Sequence, residues 1–147
     1  MARRFAFLAL VATSLLMTAA AHAQAEGDPS GVWLTQAGDA KVKVSKCGGG
    51  ICGIIVWLRE PIDPATGKPA IDDKNPNPAL AKRPMIGLPL FLGMHPAGAA
   101  RWTGQIYNAD DGRIYESHIS LPSPDLLRVE GCVGAFCGGE TWSRSGR

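Results

Sequence analysis

The chain has 147 residues, with 15 Lys and Arg against 13 Asp and Glu, a formal charge of +2. Arg3 and Arg4 account for that excess, so the rest is balanced, which removes the electrostatic case for nucleic acid or an anionic lipid surface as partner. Lys41, Lys43 and Lys46 form the one local basic row, and a solvated strand face accounts for them.

Arg3 and Arg4 precede a run of small and apolar residues from Phe5 to Ala20 that ends in Ala21-His22-Ala23. This pattern is that of a secretory signal peptide, residues 1–23, cleaved after Ala23. The run is too short and too rich in small residues for a membrane span of about 20 residues, and the mature chain contains no other candidate. Residues 24–147 are expected to form a single secreted domain, periplasmic or extracellular, of a size that buries one core.

Extended segments separated by turns make up the mature chain, with almost no helical period. Gly31–Thr35 and Ala40–Lys46 flank a turn at Gly38-Asp39, and the second alternates lysine with valine as a half-buried strand does. Gly53–Leu58 is apolar on both faces, which predicts a covering segment on its outer side. The stretch from Arg59 to Pro89, rich in proline, Asp and Asn, is available for that role and reads as a long ordered loop. Strands are then expected at Pro89–Met94, Ala100–Tyr107, Arg113–Leu121, Asp125–Gly131 and Gly139–Arg144. Eight short strands in a meander close most economically into an antiparallel up-and-down β-barrel, because closure removes exposed edges; the alternative is a strongly twisted open antiparallel sheet.

Four cysteines stand as two C-x₄-C pairs, Cys47 with Cys52 and Cys132 with Cys137. In an oxidising compartment they imply two disulfides, with three possible connectivities. If each pair brackets a hairpin turn, its cysteines stand directly opposite each other at a spacing a disulfide accepts, which favours the two local bonds. A redox C-x-x-C is absent, and the spacings do not suit a zinc site.

GVWLT, CGGGICGIIVWL, the proline-rich loop, WTGQIYNADDGRIY and GETWSR together resemble, from Gly31 to Arg144, the secreted bacterial family called domain of unknown function 2147. That resemblance implies a small exported β-rich domain and no agreed activity or cofactor; Ala109 stands where a proline is expected in the family. Gly31-Val32-Trp33 on the first strand and Arg144 on the last also resemble the G-x-W and arginine pair that closes lipocalin-like barrels, with the guanidinium over the indole. Core packing alone is the competing role for Trp33 and Trp142.

A five-residue turn at Asn108–Gly112 would place Tyr107 opposite Arg113, Gly104 opposite Glu116 and Trp102 opposite His118. Glu116 and His118 would then share an apolar face with Trp102, and with Trp57 would line a ligand pocket inside the barrel. If instead that face is solvated, Tyr107, Tyr115 and Gln105 point inward. The mature chain has two histidines, His95 and His118, and none of the common nucleophile, zinc or phosphate templates, so the reading leans away from an enzyme, and it expects no cofactor and no metal. Asp73, Asn75 and Asn77 alternate as calcium ligands do, without the glycine and glutamate of an EF-hand. Two functions follow: a binding module for a small, largely apolar cell-envelope molecule, or a periplasmic interaction or structural module that uses the 59–89 loop. An empty apolar cavity favours the first; a filled interior beside an exposed patch at Met85, Ile86 and Leu88 favours the second.

Overall fold

The computed structural model describes residues 27–147; the signal peptide read at residues 1–23 lies outside the described residues. Eight antiparallel strands, β1 (Gly31–Leu34), β2 (Ala40–Cys47), β3 (Gly50–Leu58), β4 (Phe91–Pro96), β5 (Arg101–Asn108), β6 (Arg113–Ser123), β7 (Leu126–Val133) and β8 (Phe136–Gly146), pair in chain order. β8 returns to β1, so the barrel is closed and the open sheet is excluded. Period-two alternation sends Val42, Val44, Ile51, Ile55, Ile119, Leu127 and Val129 into the interior.

One end of the barrel is sealed. Trp33 is wholly buried and donates its indole N–H to the Pro29 carbonyl at 2.8 Å. The Arg144 guanidinium lies 4.2 Å from the Trp33 ring centroid and donates to the carbonyls of Ser30, Asp28 and Pro124. Those carbonyls belong to the strap preceding β1 and to the β6–β7 turn, so one planar cation ties both across the barrel floor. A Cβ on Gly31 would stand 2.5 Å from that guanidinium, on a backbone at φ +140°, which accounts for glycine beside the Val-Trp pair. Hydrogen bonding from Ser30, reinforced by the Lys46 ammonium at 3.3 Å, holds the Asp28 carboxyl of the strap below its usual range.

Both disulfides are the local ones, Cys47–Cys52 and Cys132–Cys137. Only the second matches the expected opposition: Cys132 pairs with Cys137 in register. In the first hairpin Cys47 faces Gly50 and Cys52 faces Ser45, so the bond runs diagonally. The cause is a tight two-residue turn at Gly48-Gly49, both at positive φ, a conformation open to glycine and costly for other residues.

The long segment between β3 and β4 covers a different surface from the one expected. Ile54, Val56 and Trp57 on the outer face of β3 remain more than a third exposed. The segment ends by extending the sheet, with Ile55 N–H donating to Leu88 and Leu90 N–H to Gly53. Its body lies instead over the outer face of β5, where Tyr107 is buried. Tyr107 donates to Asp72 at 2.6 Å, and Asn75 and Arg83 donate to the other oxygen of the same carboxylate at 2.9 Å. Asp72 is only 1% exposed, and Arg83 with these donors supplies the hydrogen-bond and ion-pair partners that a buried carboxyl group requires. Burial first, and then the bond to Asp72, push the Tyr107 phenol above its usual 10.0. Asn75 and Asn77 also accept backbone N–H groups in turns, as Asp63 does, which gives the carboxylate-rich loop a structural role.

Candidate functional site

The other end of the barrel is open. A cavity of about 1120 Å³ lies between the β1–β2, β5–β6 and β7–β8 turns and the long loop. Ile55, Leu90, Ile106, Val129 and Trp142 form its inner walls, and Trp142 stacks on Phe91 with ring centroids 5.8 Å apart. Beyond that pair the interior is filled by Trp33, Val44, Met94, Trp102, Ile119 and Leu127, none more than 8% exposed. Gly53 leaves the space the Phe91 ring occupies, since a Cβ there would meet the ring at 2.6 Å.

The cavity is empty on one side because two facing inward positions of the last hairpin are glycines. Gly131 and Gly138 face each other across β7 and β8 and both line the void. A Cβ at Gly138 would touch nothing within 4 Å. Their placement follows from the hairpin turn at Gly134-Ala135, which sets Val133 opposite Phe136 and hence Gly131 opposite Gly138. Val133 and Phe136 at the tip are 67% and 87% exposed and form the lip of the opening. The Cys132–Cys137 bond pins this lip.

Polar groups ring the mouth. Arg59 donates to the carbonyls of Ala37 and Gly38 at 2.6 and 3.1 Å, tying the start of the long loop to the β1–β2 turn. Gln36 accepts from the Thr141 backbone N–H and links that turn to β8. Glu140 points inward and accepts the indole N–H of Trp142. Tyr115 lines the wall and donates to Asp111, a bond that holds the Asp111 carboxyl below and the Tyr115 phenol above their usual values. Ser117, two residues further along the inward face, is wholly buried, and its hydroxyl has no hydrogen-bond partner among the described residues.

Of the four residues expected to line the pocket, Trp102 lies in the packed interior, and Trp57, Glu116 and His118 lie outside the barrel. Glu116 accepts a hydrogen bond from Gln105 at 2.9 Å on the solvated face, and His118 stands 3.3 Å from the Thr103 hydroxyl there. The reason is a one-residue difference in register. Asn108 belongs to β5 and pairs with Arg113, so the turn has four residues, Ala109–Gly112, closed by the Gly112 N–H donating to the Asn108 carbonyl. Trp102 therefore faces Ile119 and Gly104 faces Ser117, and with a period of two such a slip exchanges the faces of a whole strand. Tyr115 consequently points inward, whereas Gln105 and Tyr107 point outward. Gly104 serves the sheet: a Cβ there would stand 2.8 Å from the Gly93 carbonyl in the β4 bulge.

Trp57 is displaced by a bulge. Val42 pairs with Ile55 and Lys41 with Trp57, so Val56 is an extra residue and Leu58 takes the inward position that strict alternation would give Trp57. The indole lies outside with the Lys41 ammonium 5.2 Å above it.

A closed eight-stranded antiparallel barrel, sealed at one end by a Trp–Arg pair and open to a large cavity at the other, is of the lipocalin-like class. A solved structure with this fold is that of protein HP1028 from the human pathogen Helicobacter pylori, described as belonging to the lipocalin family. It superposes with a TM-score of 0.66 at 22% sequence identity, over 80% of this chain and 82% of that one. The chain itself belongs to the family described as uncharacterized protein conserved in bacteria (DUF2147), whose model matches residues 31–144. No curated protein matches it.

Proposed function

We propose that the protein is an exported carrier or receptor that holds a small, largely apolar molecule of the cell envelope in the open end of its barrel. The observation that carries this reading is the cavity: about 1120 Å³, with inner walls of aliphatic and aromatic side chains, Glu140 and Tyr115 as polar groups within, and most other polar groups at its mouth. This is the arrangement by which proteins enclose small apolar ligands. The two disulfides accord with an oxidising compartment, and the Arg3–Ala23 pattern accords with export to it.

The alternative, docking of a partner through the 59–89 loop, required a filled interior and an exposed apolar patch. Leu88 is instead buried and Met85 lines the cavity, which leaves Ile86 as the exposed member of the three. The test is native mass spectrometry of protein released from its own cells. A co-purified small molecule, lost from a Gly138→Trp variant that still folds, supports the carrier reading. An empty wild-type protein that also fails to take up apolar fluorescent probes refutes it.

A further inference from the structure

We infer that the cavity selects a cationic amphiphile, a molecule with an apolar body and an amine or ammonium end, over an anionic one of the same length. This rests on the reading of the cavity as a ligand site and adds the charge of its occupant.

Among the described residues, five ionisable groups other than tyrosine line the void: Asp39, Glu60, Asp110 and Glu140 are acidic, and Arg59 is the single cation. The guanidinium is committed to the Ala37 and Gly38 carbonyls, where it acts as a clamp on the rim. The carboxylates are less committed. Glu140, which reaches furthest in, receives one indole N–H, and an ionised carboxylate has room for about four donors. A fatty-acid-like anion entering this mouth would bring a fifth negative charge past the exposed Asp39, Glu60 and Asp110, which repel it through solvent, towards the half-buried Glu140, where screening is weaker. An ammonium would instead meet uncompensated charge of opposite sign, and the Tyr115, Phe136 and Trp142 rings along its path offer faces that attract cations. A mouth of one sign also raises the local concentration of counter-charged ligand.

A second observation, independent of charge, points to an occupant in the interior: Gly131 and Gly138 face each other on the inner wall, and a Cβ at Gly138 would touch nothing within 4 Å.

The experiment is calorimetric titration of the oxidised full-length mature protein with decyltrimethylammonium, decanol and decanoate, each below its aggregation limit and at low salt. The expected order is ammonium, then alcohol, then carboxylate, with at least a tenfold gap between the charged pair. Added salt narrows that gap, and so does the double variant Glu140→Gln with Asp110→Asn. Equal or tighter binding of decanoate, with decanol also bound, overturns the charge preference while leaving the carrier reading intact. If none of the three binds, the carrier reading falls and takes this inference with it.

Discussion

The sealed and open ends of this barrel are built from the same eight strands and differ in what the strands place on their inner face. At the sealed end the inward positions carry Trp33, Trp102, Ile119 and Leu127, and Arg144 ties the strap and the β6–β7 turn together above the indole. At the open end glycine stands at Gly131 and Gly138, and carboxylates stand around the rim. The contrast shows how a small barrel separates stability from binding: packing density is concentrated below the Phe91–Trp142 stack, and the half above it forgoes core to keep a void.

That division can be broken most forcefully from below. Trp33→Ala should cost about 3–5 kcal/mol, through lost burial and the cavity left under Arg144, measured as a fall in the urea midpoint. Second in size is Asp72→Ala, which leaves Arg83 and the Tyr107 hydroxyl facing each other without their shared acceptor. A loss of about 3 kcal/mol is expected, at the lower end for a broken buried pair because Arg83 is partly exposed. Replacing either disulfide by serines should cost about 2 kcal/mol, since both loops are equally short. The comparison sharpens here: loss of Cys132–Cys137 should weaken ligand binding as well, because it frees the lip, whereas loss of Cys47–Cys52 should not.

Gly138→Leu should change stability by no more than about 0.5 kcal/mol, because the new side chain enters open space, yet abolish binding in a probe titration. A large loss of stability there would mean the void is smaller than the geometry describes. The smallest effect concerns pH. The Tyr107 phenol is held above its ordinary 10.0, so the folded state retains a proton that the unfolded state loses. Its contribution is complete below that ordinary value and disappears as pH rises through the elevated one. Urea midpoints of wild type should therefore fall between about pH 9 and 11 by more than those of Tyr107→Phe.

Much of the fold was legible in the order of residues because strand alternation and turn chemistry are local. The valine–lysine alternation of Ala40–Lys46, the turn at Gly38-Asp39 and the paired cysteines each stated their own structure. The site was less legible, and the failures are specific. Glu116 and His118 were placed inside by counting one residue too many into a turn, and only the Gly112 to Asn108 hydrogen bond reveals that Asn108 belongs to the strand. Trp57 was placed inside by unbroken alternation, which the bulge at Val56 interrupts. Gly131 and Gly138 could have been found: with the turn centred on Gly134-Ala135, they pair opposite each other, and two facing glycines on an inner wall mark a void.

Local rules therefore determined from the sequence alone that this chain makes short antiparallel strands in a meander and local disulfides, because each depends on neighbours a few positions apart, whereas closure rests on β1 meeting β8 more than 100 positions away. Which side chains meet inside was decided by the tertiary structure. Bulges and turn lengths shift strand parity by single residues, and the position of the long loop depends on the contact of Asp72 with Tyr107, 35 positions away.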